Sequence, residues 1–168
     1  SMAISAPAKS SQFTDYSASP RTFVPGSDWG SKLRASFAKL TFTAAGFTSA
    51  AAGDIQLIRM PAGPIRILRM LSQVACPVGT ATSDLDIGIG AYTNTAGATV
   101  ALSGAALAGS LDVGGAALIQ NFVTGSDALA SYVEVNSQSG FDIVCSFDTA
   151  NSPAAGDLVV TVVYMIGN

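Results

Sequence analysis

The residues able to do chemistry in this 168-residue chain are few and scattered. Asp84 and Asp86 stand two apart, so they share one face of a strand, and Asp142 and Asp148 could approach them there. Paired carboxylates of separated pKa are what glycoside hydrolysis requires, and clustered carboxylate oxygens also suit a weak Ca²⁺ site. No Asp-rich loop of the EF-hand type accompanies them, and the simpler reading is a set of solvated outer-face carboxylates. The chain has no histidine. That removes the Ser-His-Asp, Cys-His and zinc-water arrangements together with the commonest general base near neutral pH. No catalytic residue is assigned, no cofactor and no metal.

Phosphate recognition fares no better. Gly88-Ile89-Gly90 lacks the third glycine and following helix of a dinucleotide loop, and Gly114-Gly115 has no P-loop lysine. Arg59, Arg66 and Arg69 are the last positive charges in the chain, but Arg66 and Arg69 fall on opposite faces of a regular strand. Eight basic residues with a net charge of -3 are far from a nucleic-acid-binding balance, so no nucleic-acid partner is expected. A structural or intersubunit pairing role for these arginines fits the ordinary use of Arg at interfaces. Cys76 and Cys145 are the only cysteines; the sequence leaves open a disulfide between them, although isolated cysteines inside apolar strand patterns are more often unpaired core residues.

The elements that would position these residues are β-strands. Leu33 to Thr43 opens the strand-like pattern. Asp54 to Met60 and Ile65 to Val74, joined by Pro61-Ala62-Gly63-Pro64, read as a hydrophobic hairpin and a central strand pair, since proline fixes φ and glycine accepts φ > 0. Asp84 to Tyr92 alternates cleanly, with Leu85, Ile87 and Ile89 inward; its outward Gly88 and Gly90 call for a close backbone or a bulge. Val100 to Val113, with three leucines in a run of alanines, is expected to form one short helix. Ala117 to Val123, Ser131 to Asn136, Phe141 to Phe147 and Leu158 to Ile166 supply further strands. The last is apolar on both faces apart from Thr161 and should be a central strand; Asp54 to Met60, with Ile55 and Leu57 on one face and Ile58 and Met60 on the other, reads as a strand covered on both sides. Ala51-Ala52-Gly53-Asp54-Ile55 recurs as Ala154-Ala155-Gly156-Asp157-Leu158, each time at the mouth of an apolar strand.

The expected architecture is all-β: an antiparallel β-sandwich over 32–168 with one short helix, preceded by an extended N-terminal arm over 1–31. The arm is rich in Ser, Ala and Pro, yet Phe13, Tyr16, Phe23, Val24 and Trp29 are too apolar for an idle tail. Phe13, Tyr16, Phe23 and Trp29 are therefore candidate anchors on the chain's own domain or on a neighbouring subunit, alongside the three arginines. With 49% hydrophobic and only 11% charged residues, part of the surface is expected to be covered. The charges also divide: all eight basic residues and three acids lie in the first 69 positions, and eight acids with no Lys or Arg follow. Opposite faces of opposite sign could then draw copies together. The longest apolar stretches are broken by Gly, Asp and Ser, so no membrane span is expected.

Several of these runs resemble small structural proteins of tailed bacteriophages, of the head decoration or cement kind. They are Gly53-Asp54-Ile55 to Leu57, Met60 to Gly63, Ile65 to Leu68, Leu85 to Gly88 with Ala91-Tyr92, Leu111-Asp112-Val113, and Gly156-Asp157-Leu158 to Tyr164. The resemblance covers roughly 33–167 and consists of turn and strand patterns. It implies a jelly-roll-like sandwich, no enzymatic activity, self-association, often in threes, docking on the major capsid protein, and a place on the virion surface. It carries over no binding residue. The same fold in a tail or host-attachment appendage is a related reading. A carbohydrate- or ligand-binding module, with Trp29 or Tyr92 as a stacking platform, is the rival from another class.

Overall fold

The computed structural model describes residues 33–43, 55–122, 132–148 and 152–167. Within them lie twelve strands: β1 (Leu33–Phe42), β2 (Ile55–Met60), β3 (Gly63–Leu68), β4 (Gln73–Cys76), β5 (Asp84–Ile89), β6 (Tyr92–Thr93), β7 (Thr99–Val100), β8 (Ser103–Asp112), β9 (Leu118–Asn121), β10 (Tyr132–Ser137), β11 (Phe141–Asp148) and β12 (Gly156–Ile166). All pairings are antiparallel, and the described residues contain no helix.

A six-stranded sheet is built around β12, as the apolar run Leu158 to Ile166 predicts. On one side β12 pairs with the whole of β1, from Leu33↔Met165 to Phe42↔Gly156. On the other side two strands meet it end to end, β3 at 164–166 and β4 at 159–161, and these carry β10 and β9 respectively. The turn between β3 and β4 fills the gap, with Ser72 Oγ accepting the Val163 amide at 2.9 Å. A four-stranded sheet runs β2-β11-β5-β8, and β6 and β7 form a small hairpin. Alternation decides which residues face inward: Phe141, Ile143, Cys145 and Phe147 from β11, Leu85 and Ile87 from β5, and Leu158, Val160 and Val162 from β12 join one hydrophobic cluster. Phe42 of β1 meets Phe147 of β11 edge to face, with ring centroids 5.7 Å apart.

Three sequence expectations are corrected. The segment from Val100 to Val113 is not a helix but β7 and β8. Its small residues serve close approach: a Cβ on Gly88 of β5 would stand 2.1 Å from the Ser103 carbonyl oxygen and 2.2 Å from that of Gly104. The β5–β8 register also slips twice, between Leu85 and Ile87 and again before Ile89. The outward glycine of the DLDIGIGAY run thus meets a second backbone at a bulge. Next, β2 and β3 do not form the expected hairpin. β2 pairs with β11 in the four-stranded sheet while β3 pairs with β10 and β12 in the other, so the Pro-Ala-Gly-Pro segment carries the chain between sheets. Finally, the strand expected from Ile65 to Val74 is broken at 69–72, where Leu71 and Ser72 amides bond back to the Leu68 carbonyl.

Cys76 and Cys145 are buried and unpaired, on β4 and β11 and hence on different sheets. Burial pushes both thiols up to about 12, and the neighbouring Cys76 adds to the effect at Cys145. A thiol reagent at mildly alkaline pH should therefore leave both cysteines untouched in the native protein and modify both after unfolding. Rapid native labelling would contradict their placement. The folded state favours the neutral thiol, so this contribution is constant below the unfolded thiol range and is lost as pH rises toward 12. Urea midpoints measured from neutral to pH 10.5 should fall in the alkaline limb.

Candidate assembly surface

The three arginines do not form one site. Arg59, on β2, pairs with Asp142 of β11 (Nη1–Oδ1 3.1 Å) and donates to the Ser139 carbonyl at 2.8 Å. Arg66, on β3, donates through Nε and Nη2 to Glu134 Oε1 of β10, the first at 2.9 Å, and lies 4.7 Å over the Tyr132 ring. Both pairs are solvent-exposed, and such pairs contribute about 0–1 kcal/mol, so they orient more than they stabilise. Arg69 is 7% exposed and donates to two backbone carbonyls, Leu107 through Nε at 2.8 Å and Phe122 through Nη2 at 3.1 Å. Nothing in the sequence marks it apart from its two neighbours, because its burial depends on the 69–72 turn.

The carboxylates separate in the same way. Asp142 is held by Arg59, and Asp86 Oδ1 accepts the Ser110 amide at 2.6 Å. Asp84 stands in register opposite Asp148 on one side and Asp112 on the other. A shallow cleft there is lined by Ala81, Thr82, Asp84, Asp112, Gly114 and Gly115, with no aromatic side chain for a sugar to stack on. Tyr92 is half-buried and packs against Phe141 instead. Among the described residues no three His, Cys, Asp or Glu lie together as metal ligands. No helix of the described residues is long and apolar enough to cross a membrane.

The structure does show a lopsided apolar surface. Large exposed hydrophobic residues are Leu33, Phe37, Met70, Leu71, Val78, Leu102, Ile119 and Tyr132. Leu33, Phe37, Ile119 and Tyr132 lie on the outward side of the six-stranded sheet, and Met70 and Leu71 are exposed on the turn between β3 and β4. Leu33 and Phe37 are outward on β1, since Ala38, Leu40 and Phe42 pack against the core. Ile119 is outward on β9, as its partner Ala75 flanks core-facing Val74 and Cys76. Met70 and Leu71 ride the turn that outward Asn121 ties down through the Met70 carbonyl at 3.0 Å. Ile119 and Phe37 are each 75% exposed. The charged groups on this side are already paired: Arg66 with Glu134, and Lys39 with Asp157 at 2.8 Å. Thr41 also donates to Asp157 at 2.7 Å, and these two bonds hold the Asp157 carboxyl below the usual range. The second Gly-Asp motif thus ties β12 to β1, with Gly156 at φ 99° making the turn. β1 itself pairs only with β12 among the described strands, which leaves a ten-residue open edge.

Phe13, Tyr16, Phe23 and Trp29, the anchors expected from the sequence, lie outside the described residues, as does the first Gly-Asp motif, residues 53–54. What sequence reasoning missed was the outward apolar face. Its one signal was the two-sided hydrophobicity of Leu158 to Ile166, where Val159, Val163 and Met165 turn outward.

No protein-family model matches the chain, and no curated protein matches it. Among solved structures it is similar to a chain of the cyanophage Pam1 capsid asymmetric unit, at 16% identity and TM-score 0.42, covering 96% of this chain and 99% of that one. It is also similar to a chain of the acidic stable capsid of Helicobacter pylori bacteriophage KHP30, at 16% identity and TM-score 0.36, over 82% of this chain and 94% of that one. A third likeness, to a chain of deformed wing virus carrying the GFP gene, has 11% identity and TM-score 0.31, over 100% of this chain and 88% of that one. Likenesses at these scores do not establish a shared fold.

Proposed function

We propose that this chain is a structural protein of a bacteriophage virion, a capsid decoration protein whose two sheets form a jelly-roll-like sandwich. In this reading it associates with itself, in threes, sits on the particle surface and docks on the major capsid protein through its N-terminal arm and sheet surface, without enzymatic chemistry. The observation that carries the proposal is the gathering of Leu33, Phe37, Ile119 and Tyr132 on the outward side of one sheet, with Met70 and Leu71 exposed on its β3–β4 turn, beside the open edge of β1. Soluble monomers rarely leave contiguous apolar surface uncovered, and patches of this kind mark contacts with other proteins. Interface energy concentrates in a few well-packed aromatic and aliphatic anchors, which this face and the aromatic residues of the arm supply. An open edge adds main-chain donors and acceptors for strand addition.

Removing residues 1–31 should abolish most particle binding, read as the ratio of this protein to major capsid protein after sedimentation of reconstituted particles. Unchanged occupancy would overturn the arm's part in docking. Light scattering on the isolated protein checks self-association, and a strict monomer at all concentrations would overturn it.

A further inference from the structure

We infer that the outward side of the six-stranded sheet is covered, in each free subunit, by the N-terminal segment of the same chain, residues 1–32, with Trp29 seated over Leu33 and Phe37. The inference concerns the isolated protein and does not rest on the virion reading.

Three observations carry it. First, β12 has the composition of a strand covered on both sides, with Val159, Val163 and Met165 outward, yet the described residues cover only its inner side. Second, the face asks its cover for apolar contact rather than charge, because Lys39 and Arg66 are already paired with Asp157 and Glu134. The stretch from Phe13 to Trp29 brings Phe13, Tyr16, Phe23, Val24 and Trp29, with Asp15, Arg21 and Asp28 as its only charges. Third, that segment joins the domain at Leu33, which is itself part of the face.

Chain length then selects the occupant. Trp29 is separated from Leu33 by Gly30, Ser31 and Lys32, a run whose glycine permits a reversal. Four residues of extended chain reach about 13 Å and the ten back to Phe23 about 33 Å, which is the length of a ten-residue strand such as β1. The anchors therefore reach every part of the β1–β12 outer surface. A linker this short gives an effective concentration in the millimolar range, far above the concentration of any second copy in dilute solution. Pro20 and Pro25 lack the amide that a continuous added strand would need at the open edge of β1, so the segment lies across the face rather than extending the ladder.

Trp29 is the only tryptophan, so its fluorescence reports on this docking alone. In the full-length protein its emission should be blue-shifted from that of solvated tryptophan, and acrylamide quenching should be several-fold weaker. Both should be unchanged over a hundredfold dilution. The variants Leu33→Ser and Phe37→Ser alter exposed positions and should return both readouts to the solvated values, with far-UV circular dichroism and urea midpoint kept. Solvated Trp29 in the unmodified protein would overturn the inference, as would a blue shift that the variants leave in place. A blue shift lost on dilution would overturn it in favour of a segment supplied by a second copy. Particle occupancy is not read in this experiment, so the virion proposal can fail while this one stands, and the reverse.

Discussion

Replacing Arg69 with leucine is expected to remove about 3–5 kcal/mol of stability, a large share of the roughly 5–15 kcal/mol that holds an ordinary domain folded. Arg69 is buried, and its guanidinium is the donor to the carbonyls of Leu107 on β8 and Phe122 just beyond β9. A hydrogen bond from a charged donor contributes about 1.5–3 kcal/mol, and a buried acceptor left without a partner costs about 1–3 kcal/mol. Leucine adds some apolar burial, worth about 1.5–3 kcal/mol at most, and this offsets only part of the loss. Geometry adds to the expected cost. Leu107 belongs to the four-stranded sheet, and Phe122 follows the end strand of the other. One side chain on the β3–β4 turn thus ties the two sheets together. Arg69→Lys should recover little, since a single ammonium lacks the planar fork that reaches two carbonyls in fixed directions. Urea denaturation of both variants checks this, and a midpoint within error of the parent would show that the clasp is dispensable.

Gly88→Ala should be nearly as costly, about 3 kcal/mol, although it adds a single methyl group. The new Cβ would lie 2.1–2.3 Å from the backbone of Ser103 and Gly104, and neither can swing aside as a flexible side chain would. Overpacking at a site free to adjust costs about 1–3 kcal/mol, and a backbone contact puts this variant at or beyond the upper end. The strain is relieved only by lifting the start of β8 from β5, and Val144 and Ser146, nearly fully buried on the flanking β11, should become more accessible. Hydrogen exchange localised to 103–108 together with a melting temperature lower by roughly 6–12 °C is the expected result. Gly115, which has open space where its Cβ would stand, is the control, and Gly115→Ala should be nearly neutral. Equal effects at the two glycines would refute the close approach.

The inner half of the fold was legible because strand burial follows a period of two. Leu85, Ile87 and Ile89, then Phe141, Ile143, Cys145 and Phe147, were assigned inward from alternation alone, and all are buried. The failures share a cause. Val100 to Val113 read as helical because alanine and leucine favour helices, but propensity is a weak prior. Here it yielded to a packing demand from Gly88, sixteen residues earlier in the chain than Gly104. The Pro-Ala-Gly-Pro turn looked like a hairpin because local turn chemistry cannot tell whether two strands pair or part company into different sheets. The arginines looked alike for the same reason. Three guanidiniums within eleven positions ended in an exposed pair on each sheet and one buried clasp, and only the partners distinguish them.

The sequence by itself determined the all-β class, the inward-facing residues and the central place of the Leu158 to Ile166 strand. All of these follow from local alternation and from which residue types are absent. The tertiary structure decided which sheet each strand joined, which arginine was buried, why Gly88 must be glycine and where the uncovered apolar side lay. Those depend on contacts between residues far apart in the chain. Strand order and register are set by the total of such contacts, and no single stretch of sequence contains that total.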